Sequence, residues 1–155
     1  MKIRNILSIA SVVTATVGLS LLAAPAGSAA PTQTGFGARQ QLVAPTGNVA
    51  AWTVDNLRKS TDTIPTPVKG ELWESTATVE AVRGDVTPII SDLNARSADG
   101  QTYRVLFNVP TPQGINPEAI HQGARSTGKV YFDVVGQAPD SVVYNDARQD
   151  HLIWK

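Results

Sequence analysis

The sequence predicts an all-β fold, an antiparallel two-sheet sandwich of seven to eight strands. Three observations predict it. Beyond residue 30 the apolar residues recur at every second position rather than every 3.6. The alternating runs are short, and turn formers separate them: Ala44–Gly47 (APTG), Ile64–Pro67 (IPTP), Arg83–Asp85 (RGD), Ala98–Gly100 (ADG) and Ala138–Asp140 (APD). Most runs are apolar on one side only, as in a sheet with one face on a core and one in water.

The first thirty residues stand apart from this pattern. Lys2 and Arg4 are followed by an uncharged, mostly apolar stretch from Ile6 to Ala24 and by the small-residue exit APAGSAA, Ala24–Ala30. That order predicts a secretory signal peptide over residues 1–29, with cleavage after Ala29 or after Ala26. An uncleaved membrane anchor is the competing reading, because a bilayer needs about 20 apolar residues. Ser8, Ser11, Thr14, Thr16, Gly18 and Ser20 dilute the segment and count against it. No cysteine is present, so disulfides, thiolate metal sites and lipidation at a cleavage-point cysteine are excluded.

Residues 30–155 make one domain. A domain of that length buries roughly two thirds of the surface its unfolded chain exposes, so its core suffices without a staple. Without Lys2 and Arg4 the acidic side chains outnumber the basic ones, which argues against a nucleic-acid partner.

Four strands follow directly from alternation. Asn48–Leu57 sets Ala50, Trp52 and Val54 on one side. Glu71–Arg83 sets Trp73, Ala77, Val79 and Ala81 against Glu74, Thr76, Thr78 and Glu80. Gln101–Val109 groups Tyr103, Val105, Phe107 and Val109. Lys129–Val135 opposes Val130, Phe132 and Val134 to Lys129, Tyr131 and Asp133. Weaker strands are expected at Gly37–Leu42, Ile89–Ser97, Ser141–Asn145 and His151–Trp154. Trp52 and Trp73 share the parity of apolar neighbours and are expected inside; Trp154, one residue from the end, is not assigned a side.

One hairpin can be argued to the residue. A two-residue loop at Asp99-Gly100 would set Asp92, Asn94 and Arg96 opposite Phe107, Val105 and Tyr103. A three-residue loop, Ala98-Asp99-Gly100, pairs Ser97 with Gln101, Ala95 with Tyr103, Leu93 with Val105 and Ser91 with Phe107. Register decides which face every side chain takes, so the second is expected, with a type I turn and Gly100 left-handed. The connection Pro110–Gly128 is long. Its Asn116–Gly123 segment, with Asn as cap, Pro next and Gly as terminator, predicts one or two helical turns.

No catalytic, cofactor-binding or metal-ligating residue is assigned, and no cofactor is expected. Glu74 and Glu80 lie six strand positions apart, roughly 20 Å, beyond the ~5–10 Å of a glycosidase pair; their row is read as the wet side of a strand. His121 and His151 lack metal-ligand spacing and are read as surface histidines. Residues 30–155 hold no G-x-S-x-G. GFGARQ, Gly35–Gln40, lacks the third glycine of a dinucleotide loop. The ADG turn lacks the repeated acids of a calcium loop, and RGD is read as a strand end rather than an adhesion signal.

The block VKGELWESTATVEAVRGDVTPIISDLNARSADGQTYRVL, Val68–Leu106, together with STGKVYFDVVG, Ser126–Gly136, and LIWK, Leu152–Lys155, resembles the mycobacterial immunoprotective extracellular protein family, small secreted antigens of the MPT/MPB type. The resemblance is weakest over Pro31–Gly47. It implies an immunoglobulin-like β-sandwich, exported, extracellular and recognised by a host immune system, and it carries no functional residue over. A sandwich hosts many roles, so function stays a separate question. The first expectation is a non-enzymatic secreted module whose partner is a host or cell-surface protein, with no membrane anchor after signal cleavage. A carrier of a lipid or glycan between the sheets is the second, and a hydrolase of scattered carboxylates the third.

Overall fold

The computed structural model describes residues 29–107 and 109–155. The export-signal expectation for residues 1–29 lies, apart from Ala29, outside the described residues. Among the described residues nine strands follow in order: β1 (Thr32–Thr34), β2 (Arg39–Val43), β3 (Val49–Lys59), β4 (Glu71–Arg83), β5 (Leu93–Ser97), β6 (Thr102–Arg104), β7 (Arg125–Val134), β8 (Pro139–Asn145) and β9 (Asp150–Trp154). They form a sandwich of a five-stranded sheet, β1-β9-β8-β5-β6, and a four-stranded sheet, β2-β3-β4-β7. Every pair is antiparallel except β1 with β9, which run parallel. The ninth strand is β1, whose three residues are too short to show an alternation in the sequence.

The core lies between the sheets, where the expected parities meet. Val54 faces Ala77, Trp52 faces Val79 and Ala50 faces Ala81 across β3 and β4, and all six are buried. Phe132 and Val130 of β7 continue the layer, with Leu93, Val142, Leu152 and Trp154 from the opposite sheet. Trp154 is 0% exposed, and its indole nitrogen donates to the Ala38 carbonyl at 2.8 Å. The C-terminal tryptophan is therefore a central residue of the core. Trp73, expected inside, packs half-buried at the core margin.

The Ala98-Asp99-Gly100 hairpin has the expected register: Ala95 pairs with Tyr103 and Arg96 with Thr102, and the Ser97 amide donates to the Gln101 carbonyl at 3.0 Å. Gly100 has φ +89° and donates back to Ser97. The Ser97 hydroxyl donates to the Asp99 carboxylate inside the loop. Beyond Arg104 the expected strand does not continue. Val105 forms a bridge to Phe132 of the other sheet, the Leu106 amide donates to the Tyr131 carbonyl, and Phe107, expected inside, is 59% exposed. The chain changes sheets there, and the Ser91–Phe107 pairing is replaced by contacts with β7.

The Asn116–Gly123 segment is not helical. Asn116 instead caps a local turn, accepting from the Glu118 amide at 3.0 Å. Ile120 is drawn out by a two-bond bridge to Val86 (2.9 and 2.8 Å). Upstream, Ile115 is buried in the core, so tertiary pairing overrides the local helix signals. Just before the Asn116–Gly123 segment, Gln113–Ile115 runs alongside β7, the Ile115 amide donating to the Lys129 carbonyl and the Lys129 amide to the Gln113 carbonyl. A Cβ at Gly128 would collide with the Gly114–Ile115 backbone, so only a glycine admits that approach.

Candidate functional site

The row Glu74, Thr76, Thr78, Glu80 points away from the core, as its parity requires. Glu74 is nevertheless 4% exposed, which corrects the reading of the whole row as a wet face. A β-bulge starts the enclosure. Asp55 pairs with Thr76 but Arg58 with Glu74, so β3 spends three steps where β4 spends two. The extra residue sits at Asn56, whose φ is +59°. It turns Leu57 toward the core and swings Arg58 onto the outer face. Ser75, 0% exposed on the core side, donates to the Asp55 carbonyl at 2.6 Å.

Arg58 then donates to Glu74 Oε1 from Nε and a terminal nitrogen at 3.0 and 2.9 Å. The chain leaving β3 folds over the same spot: Ser60 Oγ donates to Glu74 Oε2 at 2.6 Å. Lys129, two positions from Tyr131 on β7, donates to Glu74 Oε2 at 2.9 Å and to Asp62 Oδ2 at 2.7 Å. Tyr131 donates its hydroxyl to the same Asp62 oxygen at 2.7 Å. Two carboxylates and two cations thus close into one neutral knot across β3, β4, β7 and the Ser60–Asp62 segment. Arg58, Ser60 and Asp62 had no signal in the sequence; Lys129 and Tyr131 were visible only as outward-facing residues.

Asp62 and Glu74 share one ammonium, which brings their oxygens within the ~5 Å separation of a retaining glycosidase's acid pair. The electrostatics run the wrong way for that chemistry. Hydrogen bonds from Lys129 and Tyr131 hold Asp62 below its ordinary value. Burial pushes Glu74 up, but Ser60, Lys129 and Arg58 outweigh it and hold it low. A general acid needs a raised pKa. Both acids here are stabilised as anions, and Lys129 occupies the space between them. The arrangement pins the Ser60–Asp62 segment to the sheet.

The other candidates resolve as local structure. His121 pairs with Asp85 at 3.1 Å and His151 with Asp146 at 2.9 Å; His121 is exposed and His151 half-buried. Among the described residues no group of three or more His, Cys, Asp or Glu is placed to hold a metal. In the RGD triplet Arg83 donates to the Gly47 carbonyl at 2.8 Å, and Asp85 accepts from the Gln122 amide. Among the described residues Asp92 is the one carboxyl resolved above its ordinary value: burial raises it and Asp146 adds to the effect, against a hydrogen bond with Tyr144 that lowers it. For an acyl-chain carrier the space between the sheets is already filled, by Trp52, Trp154, Phe132, Leu93 and Val142.

The exit from β6 leaves the most conspicuous surface. Phe107 stands exposed where the chain crosses between sheets. An open hollow of ≈540 Å³ lies against it, lined by Phe107, Val109, Pro110, Ile115 and Pro117. A second, of ≈220 Å³, lies among Thr66, Leu106 and Phe107. The first hollow mixes these apolar side chains and prolines with Thr111 and Asn116 of the long connection; the second is largely apolar.

A family model described as a domain of unknown function (DUF1942) matches residues 31–154. The chain is 44% identical to immunogenic protein MPB63 of Mycobacterium bovis, over 100% of this chain and 99% of that protein. Identity to immunogenic protein MPT63 of Mycobacterium tuberculosis is the same, with the same coverage. The crystal structure of MPT63, a secreted protein of M. tuberculosis, superimposes with a TM-score of 0.79 at 46% identity, covering 83% of this chain and 99% of that one.

Proposed function

The chain belongs to the DUF1942 family, and from that premise we propose that it is a secreted, non-enzymatic module that contacts a host or cell-surface protein through the surface around Phe107. Its relatives are named as immunogenic proteins and one as secreted; secretion and immunogenicity extend to this chain by that likeness. The observation that carries the contact is Phe107, a large aromatic 59% exposed at the edge of hollows lined by Val109, Pro110 and Pro117. Aromatic anchors in apolar, polar-rimmed surfaces dominate protein contacts. The Glu74–Lys129–Asp62 knot supports the non-enzymatic part, since its acids are held ionised and enclosed.

The test is retention. Immobilised protein, incubated with host-cell surface and bacterial envelope extracts, is expected to hold a partner that Phe107→Ser loses. Because Phe107 is exposed, the variant should melt at the same temperature as the parent. Equal retention by both proteins, or none by either, would count against the reading.

A further inference from the structure

The two edges of the four-stranded sheet differ. Along β7 the chain covers its own edge. Leu106 donates to the Tyr131 carbonyl at 2.8 Å, Ile115 to the Lys129 carbonyl at 3.1 Å, and Lys129 to the Gln113 carbonyl at 2.7 Å. The opposite edge is β2, whose one neighbour in the sheet, among the described residues, is β3. The Ala44 amide donates to the Asn48 carbonyl at 2.9 Å. Antiparallel strands exchange backbone bonds at every second position. In the register that pairs Leu42 with Ala50 and Gln40 with Trp52, the even residues of β2 therefore bond to β3. The amides and carbonyls of Arg39, Gln41 and Val43 point the other way, and among the described residues no backbone group meets them. This edge lies across the sheet from β7, beside which Phe107 emerges.

An open row of backbone groups is a template for another strand. The devices that blunt such an edge are missing from β2. It has no lysine, no proline and no break in its register with β3. The edge strands of the other sheet, β1 and β6, have only three residues each. Three features make a second copy of β2 the occupant that fits. Hydrogen bonding comes first. A two-fold axis through Gln41 sets Gln41 against its counterpart and each Arg39 against the other copy's Val43. All of these are outward-bonding positions, so every one of their amides and carbonyls finds a partner. Charge comes second. The two Arg39 side chains then lie four strand positions apart, ~13 Å, beyond the ~8 Å screening length at physiological salt. Glutamine meets glutamine at the centre, and no like charges face each other. Apolar cover comes third. Val43 is 61% exposed, and the aliphatic stem of Arg39 from the other copy lies over it.

We propose that β2 is a self-association edge, at which two copies of this chain pair antiparallel about Gln41 and join their four-stranded sheets into one. Five residues a side fall short of the ~1,000 Å² of a lasting interface, so the dimer is weak and forms with concentration. Sedimentation velocity from micromolar to millimolar protein is expected to show the mass rising from monomer towards dimer. Amide exchange at Arg39, Gln41 and Val43 should slow over the same range. Gln41 is exposed, so Gln41→Lys and Gln41→Glu should melt with the parent. Each sets like charges face to face across the axis and should weaken the dimer about fivefold. An equimolar mixture of the two should pair again, because lysine then meets glutamate. A chain that stays monomeric at millimolar concentration overturns the proposal. So does exchange at these amides that slows only when a host or envelope extract is added, the mark of a foreign strand. Dimerisation undiminished in both variants, or not restored in their mixture, overturns it too, since those charges meet only in the register centred on Gln41.

Discussion

Replacing Lys129 by Met removes the ammonium that Asp62 and Glu74 share while keeping most of the side chain's volume. Breaking an enclosed ion pair by deleting one partner costs about 3–5 kcal/mol, because the remaining charge is left uncompensated. Here two carboxylates lose a donor, but Arg58 and Ser60 still serve Glu74 and Tyr131 still serves Asp62. Lys129 is also 25% exposed, so water reaches the gap. The expected loss is therefore smaller, about 2–3 kcal/mol at pH 7, or a fall of roughly 6–12 °C in Tm for a domain of this size. Urea unfolding at several pH values measures it. The sign follows from the pKa directions. Asp62 and Glu74 lie below their ordinary 3.8 and 4.5, so their stabilisation is present above about pH 4.5 and is lost as pH falls through the folded values. Lys129 is raised above its ordinary 10.5 by Asp62 and Glu74; its share is present below that value and lost above the folded one. In the variant the unneutralised acids become tolerable once protonated, so its deficit should shrink as the pH approaches 4. The double variant Lys129→Met/Asp62→Asn should lose less than the two single losses added together. A deficit below about 0.5 kcal/mol at pH 7, or one that stays constant down to pH 4, would refute the reasoning.

Three further outcomes are expected. Asp92→Asn should stabilise the protein by up to about 1 kcal/mol at pH 7, since burial disfavours its anion; a raised folded pKa makes that penalty vanish as pH falls below the ordinary 3.8, and thermal melts at pH 7 and at the lowest pH where both proteins fold will show it. Trp154→Ala should cost about 3–5 kcal/mol in urea unfolding, an effect out of keeping with a frayed terminus. Gly128→Ala should be much more disruptive than Gly100→Ala. At Gly128 a Cβ meets the Gly114–Ile115 backbone, whereas at Gly100 it meets open space and only the positive φ costs, about 1–2 kcal/mol; amide exchange across Gln113–Ile115 should accelerate only in the former.

The fold class was legible because alternation states directly which residues of a ribbon share a side. Ala50, Trp52 and Val54 were placed on the core face in this way, and so were Val79 and Phe132. The hairpin at Ala98–Gly100 was legible because one register buries Leu93 and Ala95 and the other buries Asn94 and Arg96. Phe107 was misplaced for the same reason that Val105 was placed well: both share a parity, but the chain changes sheets between them, and no local pattern marks that crossing. Asn116–Gly123 has the signals of a short helix, yet the bridge from Ile120 to Val86 and the burial of Ile115 pull it straight.

The sequence by itself determined a two-sheet all-β domain and the inward side of its main strands. It also determined one hairpin register and the absence of thiol chemistry. Only the tertiary structure decided what covers the outward sides. Whether Glu74 meets water depends on an extra residue at Asn56, on a segment reaching back with Ser60 and Asp62, and on Lys129 from a strand more than fifty residues away. The buried Trp52–Tyr144 ring contact likewise needs one ring from each sheet. A period of two records the direction in which a side chain points. What it then meets is set by chain segments remote in sequence, whose approach leaves no trace in the local pattern.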